Sequence, residues 1–380
     1  MKKYQEKLIR LLQLALHPGE KNDLEITKGD WPDLFSLIIQ QGLVSVIYPV
    51  IDSIDDDKQP ENALKQNWKY NFLSNATIQV QRIKQIHSII DSFNSAGVSV
   101  IVIKGPAIAR FYASPECRSM SDLDLLVQDN SSLKAQQTIE AMGYRLYVNE
   151  DRALHQGYSK AGHLNVELHY SLLETDILGP RDMSNWYTHI WSHRKSITFE
   201  DMVFSIMSEE DELINQILHM ATHMFHGGVR MRHLYDIALL IKHSGPQLDW
   251  GYIEDTMRNI RMLEFGKLVF TTSHDYFGVE IPARLHATKG ISSEQFIDSF
   301  MNEYCVDKPS GHQRVWRRLA IKMPFLCRSL ITLPIVYVLE YWVQLTRHKR
   351  NPCSSLVATH YNMKIFTDRV RTLKMLGMNE

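Results

Sequence analysis

The chain has 380 residues, of which 44% are hydrophobic and 22% are charged, and its formal net charge is −1. These proportions are typical of a globular protein, so they exclude wholesale disorder. They also exclude a general electrostatic attraction to nucleic acid or to an anionic membrane, because such attraction needs an excess of basic residues. A chain of this length can form two or three compact units.

The cysteines and the hydrophobic segments indicate a cytoplasmic protein without a membrane span. The four cysteines contain no Cys-x-x-Cys pair, which favours a reducing compartment over a disulfide framework: Cys117, Cys305, Cys327 and Cys353. The most apolar segment, residues 330–345, is too short to span a bilayer and contains Pro334 and Glu340. It is expected to be a packed helix, and contact with a membrane surface remains the alternative.

The hydrophobic pattern changes twice along the chain and divides it into three regions. Residues 1–95 show helical spacing and are predicted to form an N-terminal helical region. Residues 96–205 are predicted to form a small α/β core, and residues 206–380 a C-terminal helical region. The predicted fold class is therefore α+β, with a small mixed β-sheet flanked by helices on both sides in the sequence.

Within the core, short strands alternate with short helices. The run "VSVIVIK" is β-branched throughout and predicts a strand buried on both faces. A short helix from Pro106, the strand "DLDLLV" and a helix that starts at Ser131 or Ser132 follow. The strands "YRLYV" and "HLNVELHYSLL" complete the predicted sheet, with a hairpin-like stretch between them.

Two aspartates in the strand "DLDLLV" suggest a metal site. Alternation places Asp122 and Asp124 on one face and Leu123 and Leu125 on the other. Two carboxylates about 4 Å apart repel by about 4 kcal/mol at an effective dielectric constant near 20. A divalent cation reverses the sign of this interaction, and carboxylate oxygens suit Mg²⁺ or Mn²⁺. A solvated strand end is the alternative explanation for an isolated Asp-x-Asp.

A third carboxylate, Glu167, is predicted to join this pair. In "NVELHY" it alternates with Val166 and Leu168, so it can face the same side from a neighbouring strand. Three carboxylates on adjacent strands can hold the metal ions of a phosphoryl displacement. His169 shares the strand face of Glu167 and is either a ligand-orienting group or base, or a packed histidine.

Residues before the Asp-x-Asp strand are candidates for binding phosphate. Gly105 and the helix begun by Pro106 present backbone N–H groups, and glycine permits close approach to the backbone. Lys104 can neutralise a phosphate, and Arg118 can bind one with two parallel hydrogen bonds. Either side chain could equally form an internal ion pair.

The stretch "IKGPAIARFYASPECRSMSDLDLLV", together with "VELHY", resembles the bacterial uncharacterised nucleotidyltransferase family of the polymerase-β-like superfamily. The stretches "HMATHMFHGGVRMRHLYDIALLI" and "LDWGYIEDTMRNI" are similar to the helical region of that family, and the resemblance covers roughly residues 5–285. It implies that Asp122, Asp124 and Glu167 are catalytic metal ligands. It also implies that Gly105 takes the place of the superfamily's Gly-Ser phosphate loop, where Lys104-Gly105 replaces Gly-Ser.

The expected activity is a metal-dependent transfer of NMP from a nucleoside triphosphate, such as ATP, with release of pyrophosphate. Lys104, Gly105 and Arg118 are the expected nucleotide-binding residues. The acceptor, a hydroxyl or phosphate, is open among a small molecule, a peptide, a protein and an RNA end. Nucleic acid is therefore expected only as an acceptor. The alternative is a non-catalytic nucleotide- or phosphate-sensing module with the same fold.

A histidine-rich helix after the core adds candidates for the acceptor side. His219, His223 and His226 share one helix face, where they form a polar seam, an acceptor pocket or a zinc site. A metal hydrolase that uses this face is a further alternative. Arg230 and Arg232 follow and are candidates for contact with an anionic acceptor, with Asp236 expected to pair with one of them.

Overall fold

The computed structural model describes residues 3–20, 24–148, 155–172, 182–226, 229–288 and 290–301, and the structural statements below refer to these residues. They form twelve helices and seven strands. The helices are α1 Lys3–Leu16, α2 Trp31–Gln41, α3 Val44–Ile51, α4 Asn62–Ser95, α5 Gly105–Ala109, α6 Ser132–Ala141, α7 Ser184–His193, α8 Glu209–His226, α9 Met231–Ser244, α10 Trp250–Asn259, α11 Leu263–Phe277 and α12 Ser293–Met301. The strands are β1 Val100–Ile103, β2 Asp122–Val127, β3 Arg145–Val148, β4 His155–Ser159, β5 Asn165–His169, β6 Lys195–Phe199 and β7 Met202–Ile206.

The strands form one mixed sheet in the order β3-β4-β5-β2-β1-β7-β6. Strand β2 lies in the middle, antiparallel to β1 and parallel to β5. Strand β1 also pairs in parallel with β7. The α+β class and the mixed sheet predicted from the sequence are thus confirmed.

The two faces of the sheet have different neighbours. One face contributes Val102, Leu125 and Val166 to a core that also contains residues of α4 and α6. The other face contributes Ile101, Ile103 and Leu126 to a larger core that includes α8 and α9. Because side chains alternate along a strand, residues 122 and 124 of β2 share the face of Leu126. The acids therefore lie on the face that packs against α8 and α9.

The helices before and after the sheet pack against each other. Helix α1 contacts α11, where the side-chain amide of Gln13 donates a hydrogen bond of 2.7 Å to the carbonyl of Tyr276. His17 and the carbonyl of Phe277 form a second link of 2.8 Å. Their apolar residues belong to the same buried core. The division into regions at residues 95 and 205 remains a prediction, and the two helical regions share one core.

The hairpin β6–β7 and helix α7 are the main elements that the sequence analysis did not identify. Ile197, Phe199, Phe204 and Ile206 show the alternation of strands, and two residues separate the two runs. Those residues, Glu200 and Asp201, both have positive φ angles of 45° and 65°. A two-residue hairpin turn of this kind usually carries Asn-Gly or Asp-Gly, so Glu-Asp gives no turn signal.

Among the helices described, none has the length and apolar character needed to cross a membrane. The segment 330–345, with its predicted packed helix, lies outside the described residues, as does the rest of the chain after Met301.

Candidate active site

Strand pairing brings the three predicted acids together. In the parallel pair of β2 and β5, Asp124 stands opposite Glu167, and Asp122 stands opposite Asn165. Val166 and Leu168 are fully buried on the other face, as predicted. A slip of one residue would turn both of these side chains out of the core, at a cost of about 1.5–3 kcal/mol each. Apolar burial therefore fixes Glu167 beside Asp124.

His169 connects the two facing acids. Its Nε2 lies 2.7 Å from Oδ1 of Asp124 and 3.4 Å from Oε2 of Glu167. Burial lowers the pKa of His169, but the hydrogen bonds to the two carboxylates outweigh burial, and the net pKa is raised. The protonated imidazole is therefore stabilised at this position, which suits a residue that orients carboxylates better than a residue that takes up a proton.

Lys104 occupies a strained position beside Asp124. Its φ of 58° lies in the region that favours glycine. The ammonium group lies 3.1 Å from Oδ1 of Asp124. Burial lowers the pKa of Lys104, but Asp124 and Glu167 outweigh burial and raise the pKa overall. A charged lysine is thus held at the acids despite the backbone strain.

The carboxylates differ in their electrostatic state. Burial favours the neutral form of Asp124, but Lys104 and the His169 hydrogen bond outweigh it and hold the pKa of Asp124 well below its usual range. Burial, together with the charges of Asp124 and Glu167, raises the pKa of Asp122 to about 6. The charge of Asp122 is thus poorly compensated by the protein. A cation at this site would relieve that repulsion.

The donor groups fit a hard divalent cation. Asp124 and Glu167 each offer a carboxylate oxygen, and these oxygens lie within 4.8 Å of one another and of a ring nitrogen of His169. Asp122 extends from the same strand face and adds a further carboxylate. Oxygen ligands of this kind are those that Mg²⁺ and Mn²⁺ prefer.

Arg118 forms a buried ion pair with Asp236. The guanidinium donates from Nη2 to Oδ2 at 2.9 Å and from Nε to Oδ1 at 3.2 Å, and Tyr112 donates a third hydrogen bond of 2.5 Å to the same carboxylate. A weaker bond of 3.4 Å joins Nη1 to the carbonyl of Gly105. The expectation that Asp236 pairs with Arg230 or Arg232 is wrong, because Arg118 takes that place. These contacts favour a positioning role for Arg118 over direct contact with phosphate.

Gly105 begins α5 and is buried. A Cβ atom built there would lie 3.4 Å from Sδ of Met120 and 3.9 Å from Nη1 of Arg118, which are ordinary contact distances. The glycine-like backbone conformation therefore belongs to Lys104, one residue earlier, rather than to Gly105.

The residues predicted for the acceptor side lie on and before α9. Arg230 is exposed at the residue before this helix. Arg232 is largely buried and donates a hydrogen bond of 2.5 Å to the carbonyl of Ser119. Nε of Arg232 has no hydrogen-bond partner among the described residues. His219 and His223 meet His233 of α9, whereas the side chain of His226 lies outside the described part of the chain.

Two further residues at the site were not identified from the sequence. Glu212 accepts a hydrogen bond of 3.1 Å from the backbone N–H of Lys104, which helps hold the strained residue. Arg82 of α4 donates a hydrogen bond to the carbonyl of Met120. Burial lowers the pKa of Arg82, and the charge of Asp122 partly opposes this effect. Glu212 follows Lys104 by 108 residues, so no local pattern could reveal this contact.

A family model described as uncharacterised nucleotidyltransferase matches residues 27–278, about two thirds of the chain. The chain belongs to this family. It is accordingly a nucleotidyltransferase, in agreement with the acid group on the sheet. The matched region contains the described sheet and helices from α2 to α11.

Two solved structures show a limited likeness to this nucleotidyltransferase. The lincomycin-bound lincosamide antibiotic adenylyltransferase LnuA is 15% identical, with 41% of this chain and 94% of that chain covered and a TM-score of 0.29. An antigenic nucleotidyltransferase-like protein from Paracoccidioides brasiliensis is 16% identical, with 47% and 87% covered and a TM-score of 0.31. A search of curated proteins gives no match. At these TM-scores the likeness carries no argument about substrates.

Proposed function

We propose that this nucleotidyltransferase is metal-dependent and transfers NMP from a nucleoside triphosphate, such as ATP, to an acceptor, with release of pyrophosphate. The observation that carries the proposal is the pairing of Asp124 with Glu167 across parallel strands, with Asp122 on the same strand face. Mg²⁺ or Mn²⁺ bound there would supply positive charge to the triphosphate and to the reacting oxygens. Asp122, Asp124 and Glu167 are the proposed ligands.

The protein's own residues have distinct proposed roles. Lys104 places a fixed positive charge at the carboxylates, where it can contact triphosphate oxygens. His169 orients Asp124 and Glu167 through its Nε2. Glu167 is more exposed than Asp124 and is the proposed acceptor of the hydroxyl proton. Arg118, held by Asp236, donates a hydrogen bond to the carbonyl of Gly105 and is proposed to fix the position of this segment.

The acceptor is proposed to approach from the side of the sheet that faces α8 and α9. The acids share the face of the sheet that packs on α8 and α9, and His223 of α8 and Arg230, just before α9, are the proposed acceptor contacts. A small molecule, a peptide, a protein and an RNA end remain candidate acceptors, so nucleic acid enters only in that role. A cytoplasmic location is part of the same proposal, because the described cysteine, Cys117, is a free thiol.

Pyrophosphate release from each of the four common triphosphates tests this function. The assay contains Mg²⁺ and, in turn, pools of small metabolites, peptides, proteins and RNA. We expect release that depends on both an acceptor pool and the metal, and that is lost in Asp124→Asn. Binding of triphosphate without release in any pool would instead support a non-catalytic nucleotide-sensing module.

A further inference from the structure

Three histidines from two helices meet beside the carboxylates. His219 and His223 lie one turn apart on α8, and His233 comes from the first turn of α9. The ring centroids are 4.3 Å apart for His219 and His223, 5.1 Å for His223 and His233, and 5.7 Å for His219 and His233. One nitrogen of each ring lies within 4.8 Å of the other two.

These separations suit a transition-metal ion. In a tetrahedral site with Zn–N bonds of about 2.0–2.1 Å, the ligand nitrogens lie about 3.4 Å apart. Nε2 of His219 and Nε2 of His223 are separated by 2.9 Å, and all three ligand nitrogens lie within 4.8 Å of one another. The separation of about 3.4 Å in a tetrahedral site lies between these two distances. Small side-chain shifts would therefore bring all three nitrogens to the distance that a zinc-type ion requires.

The protonation of the histidines also suits a ligand role. Burial, reinforced by the neighbouring positive charges and histidines, holds the pKa of His219 and of His233 well below the usual range. Burial therefore favours the neutral form of both rings, which is the form of histidine that binds a metal. Nδ1 of His233 accepts a hydrogen bond of 2.9 Å from the backbone N–H of Arg230 and also lies 3.2 Å from the carbonyl oxygen of that residue. Metal binding through the other ring nitrogen requires the tautomer in which Nδ1 instead donates to the carbonyl.

The chemistry of this group differs from that of the carboxylate site. The described group contains three imidazoles and no carboxylate, and imidazole ligands favour Zn²⁺, Co²⁺ or Ni²⁺ over Mg²⁺. Nδ1 of His219 is buried and has no hydrogen-bond partner in the described part of the chain. The nearby cations Arg118 and Arg232 would favour an anionic oxygen as the remaining ligand.

We propose that His219, His223 and His233 form a second metal site, which takes a zinc-type ion and leaves a position for an oxygen ligand. His219 lies close enough to Lys104 and His169 for their charges to act on it, so the site borders the proposed acceptor side of the carboxylates. Binding of the ion by the three histidines does not depend on the proposed transfer reaction.

Metal binding by the full-length protein tests this inference. The protein is stripped with a chelator and titrated with Co²⁺ in a buffer that contains excess Mg²⁺, and the visible d–d absorption of tetrahedral Co²⁺ is recorded. We expect one equivalent of Co²⁺ to bind and Zn²⁺ to displace it. His223→Ala and His233→Ala should each weaken Co²⁺ binding at least about tenfold. Loss of a ligand should cost no less than loss of a group that only hydrogen-bonds to a ligand, for which about tenfold is the lower end.

Two controls separate this site from the carboxylates and from damage to the fold. Asp124→Asn removes a proposed carboxylate ligand and should leave Co²⁺ binding by the three histidines unchanged. His163→Ala, which removes an exposed histidine outside this group, should also leave it unchanged. His223 is half-buried, so His223→Ala provides the test if His233→Ala does not fold, as judged by circular dichroism. Absence of stoichiometric Co²⁺ binding, or loss of binding in Asp124→Asn but not in folded His223→Ala, would overturn the proposal. Pyrophosphate release in Mg²⁺ is measured separately, so either proposal can fail alone.

Discussion

Replacement of Asp122 by asparagine should stabilise the metal-free protein at neutral and alkaline pH. The pKa of Asp122 is about 6 in the folded protein, against 3.8 for an aspartate without such interactions, as in the unfolded chain. A difference of about 2 units, at 1.36 kcal/mol per unit, corresponds to at most about 3 kcal/mol. The carboxylate charge opposes folding by this amount when it is fully formed. Asp122→Asn removes the charge and keeps an oxygen that can accept the hydrogen bond from Ser121.

The sign of the pH dependence follows from the raised pKa. The folded state binds a proton more tightly than the unfolded state, so Asp122 lowers stability as the pH rises from about 4 to about 6. The gain from Asp122→Asn should therefore be small at pH 4 and reach at most about 3 kcal/mol above pH 7.

Denaturant unfolding at pH 4.5 and pH 8, in a chelator, measures both differences. A cation bound at the carboxylates should reverse the order, because Mg²⁺ stabilises the wild type more than the variant. If Asp122→Asn is no more stable than the wild type at pH 8 without metal, the Asp122 charge does not destabilise the fold. If the stability difference is the same at both pH values, the pKa of Asp122 is not raised.

Substitutions at three further positions test the roles of individual residues. Lys104→Ala should weaken triphosphate binding, measured by calorimetry, by about 1.5–3 kcal/mol, the scale of a charged hydrogen bond. Lys104→Gly should be more stable to unfolding than Lys104→Ala by about 1 kcal/mol or more, because glycine relieves the strain of the positive φ. Equal stabilities of the two variants would contradict this strain. Glu167→Gln should lower turnover at least about a hundredfold, or about 2.7 kcal/mol, with little change in triphosphate affinity, and near-normal turnover in Mg²⁺ would remove Glu167 from the reaction. Arg118→Ala should cost about 3–5 kcal/mol of unfolding free energy, because it leaves Asp236 buried without its partner; a stable variant that has lost only triphosphate affinity would restore the phosphate-binding role.

The parts of the site that follow strand alternation could be predicted from the sequence. Asp122, Asp124 and Glu167 share a face because Leu123, Leu125, Val166 and Leu168 are all buried on the other face. The strand and helix periods carry this information locally. The same local signals identified α6, which begins after Ser131, and the strands β1, β2 and β5.

Contacts between distant parts of the chain could not be predicted in this way. Arg118 and Asp236 are 118 residues apart, whereas the sequence offers Arg230 and Arg232 as much nearer partners for the aspartate. His233 joins His219 and His223 because α8 and α9 pack together, whereas helical spacing pointed to His226. The positive φ of Lys104 is set by tertiary contacts that include Glu212, so the residue type gave no indication of it.

The most direct test of the proposed reaction is to follow the two ends of the triphosphate separately. The protein is incubated in Mg²⁺ with an acceptor pool that supports pyrophosphate release and with triphosphate labelled at either the α or the γ phosphate. We predict that the α label becomes attached to the acceptor, that the γ label is recovered in pyrophosphate, and that both reactions are lost in Asp124→Asn. Transfer of the γ label to the acceptor would make the protein a kinase and contradict the proposed nucleotidyl transfer.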